Sequence, residues 1–129
     1  MKFDFWKFIK KDQAPLDKYA VMLAEMGFKP VRYLYELEHE YALPDCLWQT
    51  VKVLYDIEVL SNKYEEQIRV DVKMVPLSYS GAWSDDYIEF FWAFCKTDAT
   101  DDELKSVILQ TQATVETKLK HILRLERIA

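Results

Sequence analysis

Residues 51–75 read VKVLYDIEVLSNKYEEQIRVDVKMV, and this stretch decides the fold. Apolar and mostly polar side chains alternate along it from 51 to 59 and again from 64 to 74. A period of two with β-branched residues on one side is typical of half-buried strands. Because a turn-forming segment at 61–63 separates the two runs, the stretch predicts an antiparallel hairpin with one face that other elements must cover.

The residues before the hairpin predict a helix and then a strand. Pro15 suits a first helical turn, Gly27 suits a left-handed end and Pro30 lies just beyond, so we expect a helix at 15–26. Its apolar stripe consists of Leu16, Tyr19, Leu23 and Met26. Residues 31–43 alternate throughout and predict a strand, although their Glu-Leu-Glu-His-Glu segment is also good helix material.

The residues after the hairpin begin with a loop and continue into an apolar run. Residues 77–86 are rich in Ser and Asp, and they carry Trp83, which either folds over the core or stays exposed as a contact residue. Residues 87–96, YIEFFWAFCK, predict a strand that is apolar on both faces. A buried helix beginning at Ser84 is the alternative, which periodicity alone does not exclude.

Residues 100–127 predict a long helix and complete the fold. Thr100 and Glu103 form a capping box, while acids open the segment and basic residues close it, as the helix dipole favours. An apolar stripe runs from Leu104 to Leu125. The predicted order is therefore α-β-β-β-β-α in a single domain. We expect an α+β two-layer fold, a four-stranded antiparallel meander with both helices on its apolar face.

Composition argues against several classes of function. A formal net charge of −5 does not suit a protein that coats nucleic acid, since phosphate binding needs clustered Lys and Arg. The chain has no run of about 20 apolar residues for a transmembrane helix, and no secretory signal is visible. Cys46 and Cys95 lie in no CxxC spacing and are expected to be reduced, buried thiols. We therefore expect an acidic cytoplasmic protein without nucleic-acid partners.

The sequence offers little catalytic or metal chemistry. Its two glycines stand alone, so it has neither a phosphate-binding loop nor a dinucleotide fingerprint. His39 and His121 would need a third ligand to hold a metal, and we predict neither a metal site nor a cofactor. The candidate general bases are Glu66 and Glu89, each the lone acid in an apolar row. At a sheet edge either carboxylate would simply reach water.

The surplus of apolar surface on residues 87–96 favours an interaction site. Leaving several aromatic rings wet would cost multiple kcal/mol at about 25 cal/mol per Å². The possible covers are the aromatic residues 1–11, a second copy of the chain, or another protein. A membrane anchor at 1–11 is disfavoured, because one short segment buries too little area. The predicted binding residues are Phe5, Trp6, Trp83, Ile88, Phe90, Trp92 and Phe94.

The leading hypothesis is a non-enzymatic protein-interaction module of the adaptor, inhibitor or immunity type, which binds a protein partner or a second copy of itself. In size, acidity and mixed α+β order the chain resembles small acidic secretion chaperones and immunity proteins. The alternative is a small-molecule binding protein or a carboxylate-based enzyme. It would use a pocket between sheet and helices that holds Glu66 or Glu89.

Overall fold

Seven strands and two α-helices make up the described part of the chain. The structure is a computed structural model, and it describes residues 10–11, 14–43, 46–61, 64–77, 83 and 86–128. The strands are β1 (Lys10–Lys11), β2 (Lys29–Val31), β3 (Leu34–Leu43), β4 (Cys46–Ser61), β5 (Glu66–Pro76), β6 (Ile88–Lys96) and β7 (Glu126–Arg127). The helices are α1 (Ala20–Glu25), which follows a 3-10 helix at Ala14–Tyr19, and α2 (Asp101–His121).

The sheet is an antiparallel meander, as the alternating runs predict. Its strands follow the order β2-β3-β4-β5-β6, and each is antiparallel to its neighbour. The short strand β1 pairs with the end of β4, and β7 pairs with the end of β3. The α+β class and the antiparallel sheet are thereby confirmed, with one more strand in the meander than predicted.

The extra strand comes from residues 31–43, which the sequence predicts as a single strand. Val31 pairs directly with Leu34, so Arg32 and Tyr33 form a two-residue turn between β2 and β3. Arg32 has a φ of 54°, in the left-handed region that tight hairpin turns use. The alternation continues through the turn residues, which is why the sequence shows no break there.

Both helices cover the apolar face of the sheet. Side chains of β3, β4 and β5 meet those of α2 and of the N-terminal helical segment in one cluster. Its largest fully buried side chains are Tyr19, Tyr55, Leu16, Leu23, Ile57, Ile68, Leu104, Ile108 and Leu119. Apolar burial of this kind supplies the main favourable term in folding, and the two-layer arrangement follows from it.

Different interactions determine where α2 begins and where it ends. The Thr100 hydroxyl accepts a hydrogen bond from the Glu103 N–H, and the Glu103 carboxylate accepts one from the Thr100 N–H, which confirms the predicted capping box. The helix ends at His121, earlier than predicted. Arg124 takes a left-handed φ of 55°, and the Leu125 N–H donates to a carbonyl of the last helical turn. Burial of Leu125 in the core then brings β7 beside β3.

Candidate functional site

Strand β6 forms one edge of the described sheet. It pairs with β5 on one side, and no other described strand pairs with its far side. Residues 88–96 are extended throughout, so the alternative of a buried helix is excluded. An edge strand of nine residues presents unpaired N–H and C=O groups that another chain can extend.

A β-bulge in the β5–β6 pairing decides which side chains β6 presents on each face. Trp92 and Phe94 lie opposite charged residues of β5 on the outer face, away from the helices. Because the register then shifts by one residue, Glu89 takes the next outer position. Phe90 packs against the core instead, and Ile88 falls on the helix side. The outer row therefore holds two of the four residues that unbroken alternation places there.

The predicted binding residues of β6 differ in exposure. Trp92 and Phe94 are 53% and 47% exposed and stand next to each other on the outer face. Ile88 is exposed at the start of the strand, whereas Phe90 is half-buried. Two neighbouring aromatic residues thus remain as an exposed patch on the outer face.

The other predicted binding residues lie away from this patch or outside the described residues. Trp83 is half-buried and pairs with Leu77 in an isolated bridge, and the ammonium of Lys52 lies 4.9 Å from the centre of its ring. This cation–π contact fits a ring folded against the sheet. Phe5 and Trp6 belong to the part of the chain that the structure does not describe.

A groove separates β6 from α2 on the helix side of the edge. It has a volume of about 440 Å³ and is lined by Phe91 and Ala93 of β6 and by α2 residues from Val107 to Thr114. The α2 segment 106–115, SVILQTQATV, contains no charged residue, although Leu109 within it is 50% exposed. An uncharged helix surface beside an open strand edge is typical of an interaction site.

Charges lie mainly toward the two ends of this edge, although the Lys118 ammonium reaches to 5.2 Å from the centre of the Phe91 ring. Glu89 lies near the start of β6 and Lys96 at its end, and both are exposed. Helix α2 carries three acids in its first turn, and Lys118, Lys120 and His121 in its last. Strand and helix each have an acidic start, an uncharged middle and a basic end.

The outer face of the sheet holds a row of three carboxylates, and two of them are buried, which the sequence does not reveal. Glu36, Asp56 and Asp71 are cross-strand neighbours on β3, β4 and β5. Asp71 is 0% exposed and Asp56 is 2% exposed. The alternation places these residues on the outer face correctly but predicts a solvated, salt-bridged surface there. Burial depends on neighbours from other strands, so no local pattern could have shown it.

Two cations of β5 partner the buried acids. The Arg69 guanidinium lies 2.7 Å from Glu58 Oε1 and 3.5 Å from Asp71 Oδ2. The Lys73 ammonium lies 3.2 Å from Asp56 Oδ2 and 3.7 Å from Asp71 Oδ2. The Oδ1 atoms of both aspartates have no hydrogen-bond partner among the described residues. Acids outnumber cations in this network, and burial disfavours the charged form of its two aspartates.

The pKa values of the two buried aspartates move in the same direction. Burial, with a contribution from the neighbouring Glu36 carboxylate, raises the pKa of Asp56 to about 7 although Lys73 opposes the shift. Burial also raises the pKa of Asp71, and Arg69 opposes that shift. Asp56 adjoins a cavity of about 340 Å³ on the outer face. A pKa near 7 means that the charge of the Asp56 carboxyl changes near neutral pH.

The two acids that the sequence singles out as general bases lie elsewhere. Glu66 is exposed at the start of β5 and accepts a hydrogen bond of 2.8 Å from the Ser61 hydroxyl. Glu89 is exposed on the edge strand, and its carboxylate lies 4.0 Å from the Arg69 guanidinium. Neither position is the buried pocket that carboxylate catalysis would need.

A second polar cluster lies between the sheet and the C-terminal part of α2. His39, Tyr41 and Tyr55 project from β3 and β4 into the core, and the His39 and Tyr55 rings stack edge to face at 5.6 Å. Arg127 of β7 hydrogen-bonds His39 Nε2 at 3.0 Å and lies 3.6 Å from Glu116. The sequence predicts His39 as an ordinary half-exposed residue, because its partner is 88 positions away.

Burial affects the pKa of each titratable side chain of β3 and β4 in this cluster. It lowers the pKa of His39, and the positive charge of Arg127 lowers it further while Glu116 acts in the opposite sense. It raises the pKa of Tyr41 and, more strongly, that of Tyr55. At neutral pH the imidazole and both phenols are therefore uncharged.

Searches for a metal site, a membrane span and known relatives give no assignment. Among the described residues, no three His, Cys, Asp or Glu side chains are grouped to hold a metal ion. Within the same part of the chain, no helix combines the length and apolarity that crossing a bilayer requires. Comparison with protein-family models, with curated proteins and with solved structures found no match to this chain.

Proposed function

We propose that this chain is a non-enzymatic protein-interaction module that associates with a second copy of itself through β6 and α2. The observation that carries the proposal is the edge of β6, which no other described strand extends, beside an uncharged stretch of helix. A partner that adds a strand to this edge satisfies its backbone groups and covers the groove in one step.

The charges of β6 favour a second copy as the partner. In an isologous dimer the same surface meets itself, so two β6 strands would run antiparallel about a two-fold axis perpendicular to the sheet. With Ala93 on that axis, Trp92 of one copy faces Phe94 of the other on the outer face. Because of the bulge, Lys96 then faces Glu89 at each end. The pairing joins opposite charges at both ends and aromatic rings in the middle.

The same two-fold axis suits α2. Thr111 is the middle residue of this helix, and the uncharged segment 106–115 is centred close to it. The axis makes the two helices antiparallel, so the acidic first turn of one lies beside the basic last turn of the other. Ala113 and Thr114 are small and exposed, which permits close approach of the helices. Strand and helix thus support one arrangement.

The exposed apolar side chains give the dimer moderate strength. Full burial of one large apolar side chain contributes about 2–3 kcal/mol, and Trp92 and Phe94 are each close to half exposed. Two such residues on each copy contribute roughly 4–6 kcal/mol, before strand hydrogen bonds are added and the entropy of association is subtracted. We expect a dissociation constant in the micromolar range.

Light scattering coupled to size-exclusion chromatography tests the association. The expected mass is twice the 15.4 kDa of one chain at concentrations above the dissociation constant. The double variant Trp92→Glu/Phe94→Glu places like charges in the interface, and we expect it to be a folded monomer. Val21→Glu replaces an exposed apolar residue of α1 as the matched control and should leave the dimer intact. A wild-type protein that stays monomeric at every concentration refutes the proposal.

Cysteine cross-linking tests the position of the axis. A residue on a two-fold axis between antiparallel strands faces its own copy at a distance that a disulfide can span. In a background with both native cysteines replaced by serine, Ala93→Cys should form a covalent dimer on mild oxidation. Thr117→Cys, exposed on α2 but away from the axis, should not. Equal cross-linking of the two variants would exclude this arrangement of strands.

The proposal includes a cytoplasmic location. Cys95 is a half-buried free thiol, which agrees with a reducing compartment.

Small-molecule binding is the second candidate function, and it is favoured by the polar cluster between the sheet and α2. Its carboxylate-based form loses support, because Glu66 and Glu89 are both exposed.

A further inference from the structure

Three polar atoms of the second cluster are buried without a partner. The Tyr41 and Tyr55 hydroxyls and His39 Nδ1 make no hydrogen bond with any described residue. Each belongs to a residue that is at least nine-tenths buried. Leaving a polar group unsatisfied in the interior costs about 1–3 kcal/mol, so such groups are normally paired with protein, water or ligand. Three of them in one cluster indicate a site built to bind something polar.

The hydrogen bond from Arg127 fixes which partner the imidazole needs. A guanidinium can only donate, so His39 Nε2 must accept. In the neutral ring the proton then sits on Nδ1, which makes that atom a donor. The described surroundings of this cluster thus offer an N–H and two hydroxyls without acceptors. The missing partner is an acceptor.

The cluster opens to the surface through a cavity of about 450 Å³. Tyr41 and Arg127 line it together with Lys120, Glu116 and residues 125–126. The Arg127–Glu116 pair spans 3.6 Å and both side chains are about half exposed, so it is a weak contact that a ligand can replace. The mouth of the cavity therefore offers two cations, Lys120 and Arg127, beside the carboxylates of Glu116 and Glu126, and its wall includes Tyr41, whose buried hydroxyl can donate.

We propose that this cavity binds the oxyanion group of a small molecule, a carboxylate or a phosphate, through Tyr41, Lys120 and Arg127. Arginine and lysine give an oxyanion charge-assisted hydrogen bonds, and arginine can bind it in a bidentate way. His39 accepts a hydrogen bond from Arg127 and so orients the guanidinium. The site goes beyond the self-association proposed above: β6 contributes no residue to this cavity, and Lys120 is the lining residue that also belongs to the basic last turn of α2.

Titration with simple oxyanions tests the site. The isotope-labelled protein is titrated with acetate and, separately, with inorganic phosphate, while chloride keeps the ionic strength constant. We expect saturable shifts of the Tyr41, Lys120 and Arg127 amide signals with at least one of the two anions. Stronger binding of acetate assigns a carboxylate ligand, and stronger binding of phosphate assigns a phosphate ligand. Shifts that match those caused by chloride alone would overturn the proposal.

Two variants separate binding in the cavity from a general salt effect. Tyr41→Phe removes one hydroxyl and keeps the ring, and we expect it to weaken binding at least fivefold. Tyr19→Phe removes a hydroxyl that donates to the Ala99 carbonyl elsewhere in the core, and it should leave binding unchanged. Arg127→Gln should abolish the shifts. If Tyr41→Phe binds as well as the wild type, the oxyanion does not sit in this cavity.

Discussion

Replacing Asp56 by asparagine should stabilise the protein at alkaline pH and remove much of its pH dependence. The Asp56 carboxyl is buried in a row with two other acids, and the Lys73 ammonium lies 3.2 Å from its Oδ2 atom. Its pKa is raised to about 7 from an ordinary value of 3.8, with burial as the largest cause. The folded protein therefore binds this proton more tightly than the unfolded chain does.

The sign and the size of the effect follow from proton linkage. Because the folded pKa is the higher one, the contribution to stability is full below about pH 4 and is lost as the pH rises through about 7. One pKa unit corresponds to about 1.4 kcal/mol, so a shift of about three units sets a ceiling near 4 kcal/mol. We expect a loss of about 2–3 kcal/mol for the wild type between pH 4.5 and pH 8. Asparagine keeps the shape of the protonated side chain and does not titrate.

Urea denaturation at several pH values and one fixed protein concentration measures the effect. We expect Asp56→Asn to match the wild type within about 1 kcal/mol at pH 4.5 and to exceed it by about 2 kcal/mol at pH 8. Asp98→Asn, an exposed acid in the turn before α2, is the matched control and should change stability by less than about 0.5 kcal/mol. A wild type that gains stability over this pH range, or an Asp56→Asn variant that follows the wild type at every pH, would contradict the linkage of stability to this proton.

Two local features of the fold allow further predictions. Thr100→Ala should cost about 1 kcal/mol in thermal or urea unfolding, because it removes the hydroxyl that accepts from the Glu103 N–H; Thr117→Ala, in the helix interior, is the control and should cost less than half as much. Gly27→Ala should cost about 1–2 kcal/mol, because φ is +93° and the new methyl group would lie 3.3 Å from Leu37 Cδ1. A Gly27→Ala protein as stable as the wild type would show that this turn relaxes without strain.

Much of the architecture could be predicted because its signals are local. The alternation in residues 51–75 predicts the central hairpin, and β4 and β5 pair over that stretch without a break. The capping box at Thr100 marks the start of α2 to the residue. The end of α2 could not be predicted, since neither Gly nor Pro marks it and burial of Leu125 sets it from outside the helix.

The candidate sites were less accessible to sequence reasoning. The apolar run at 87–96 predicts an exposed apolar surface, and Trp92 and Phe94 do lie exposed on the outer face. The bulge that brings Glu89 to this face depends on the pairing with β5, which the run itself does not encode. The sequence also does not show that the uncharged segment of α2 lies beside an open strand edge, and only that position makes the segment a candidate interaction site.

Periodicity, capping and turn residues act within a few positions of one another, and they alone determined the order of elements, the antiparallel meander and the apolar face that the helices cover. Only the tertiary structure buried Asp56 and Asp71 on the outer face and brought Arg127 to His39. Burial and hydrogen bonding between distant residues depend on how strands and helices pack, and a local pattern carries no information about such neighbours. The charged and polar sites of this protein are therefore features that only the tertiary structure decided.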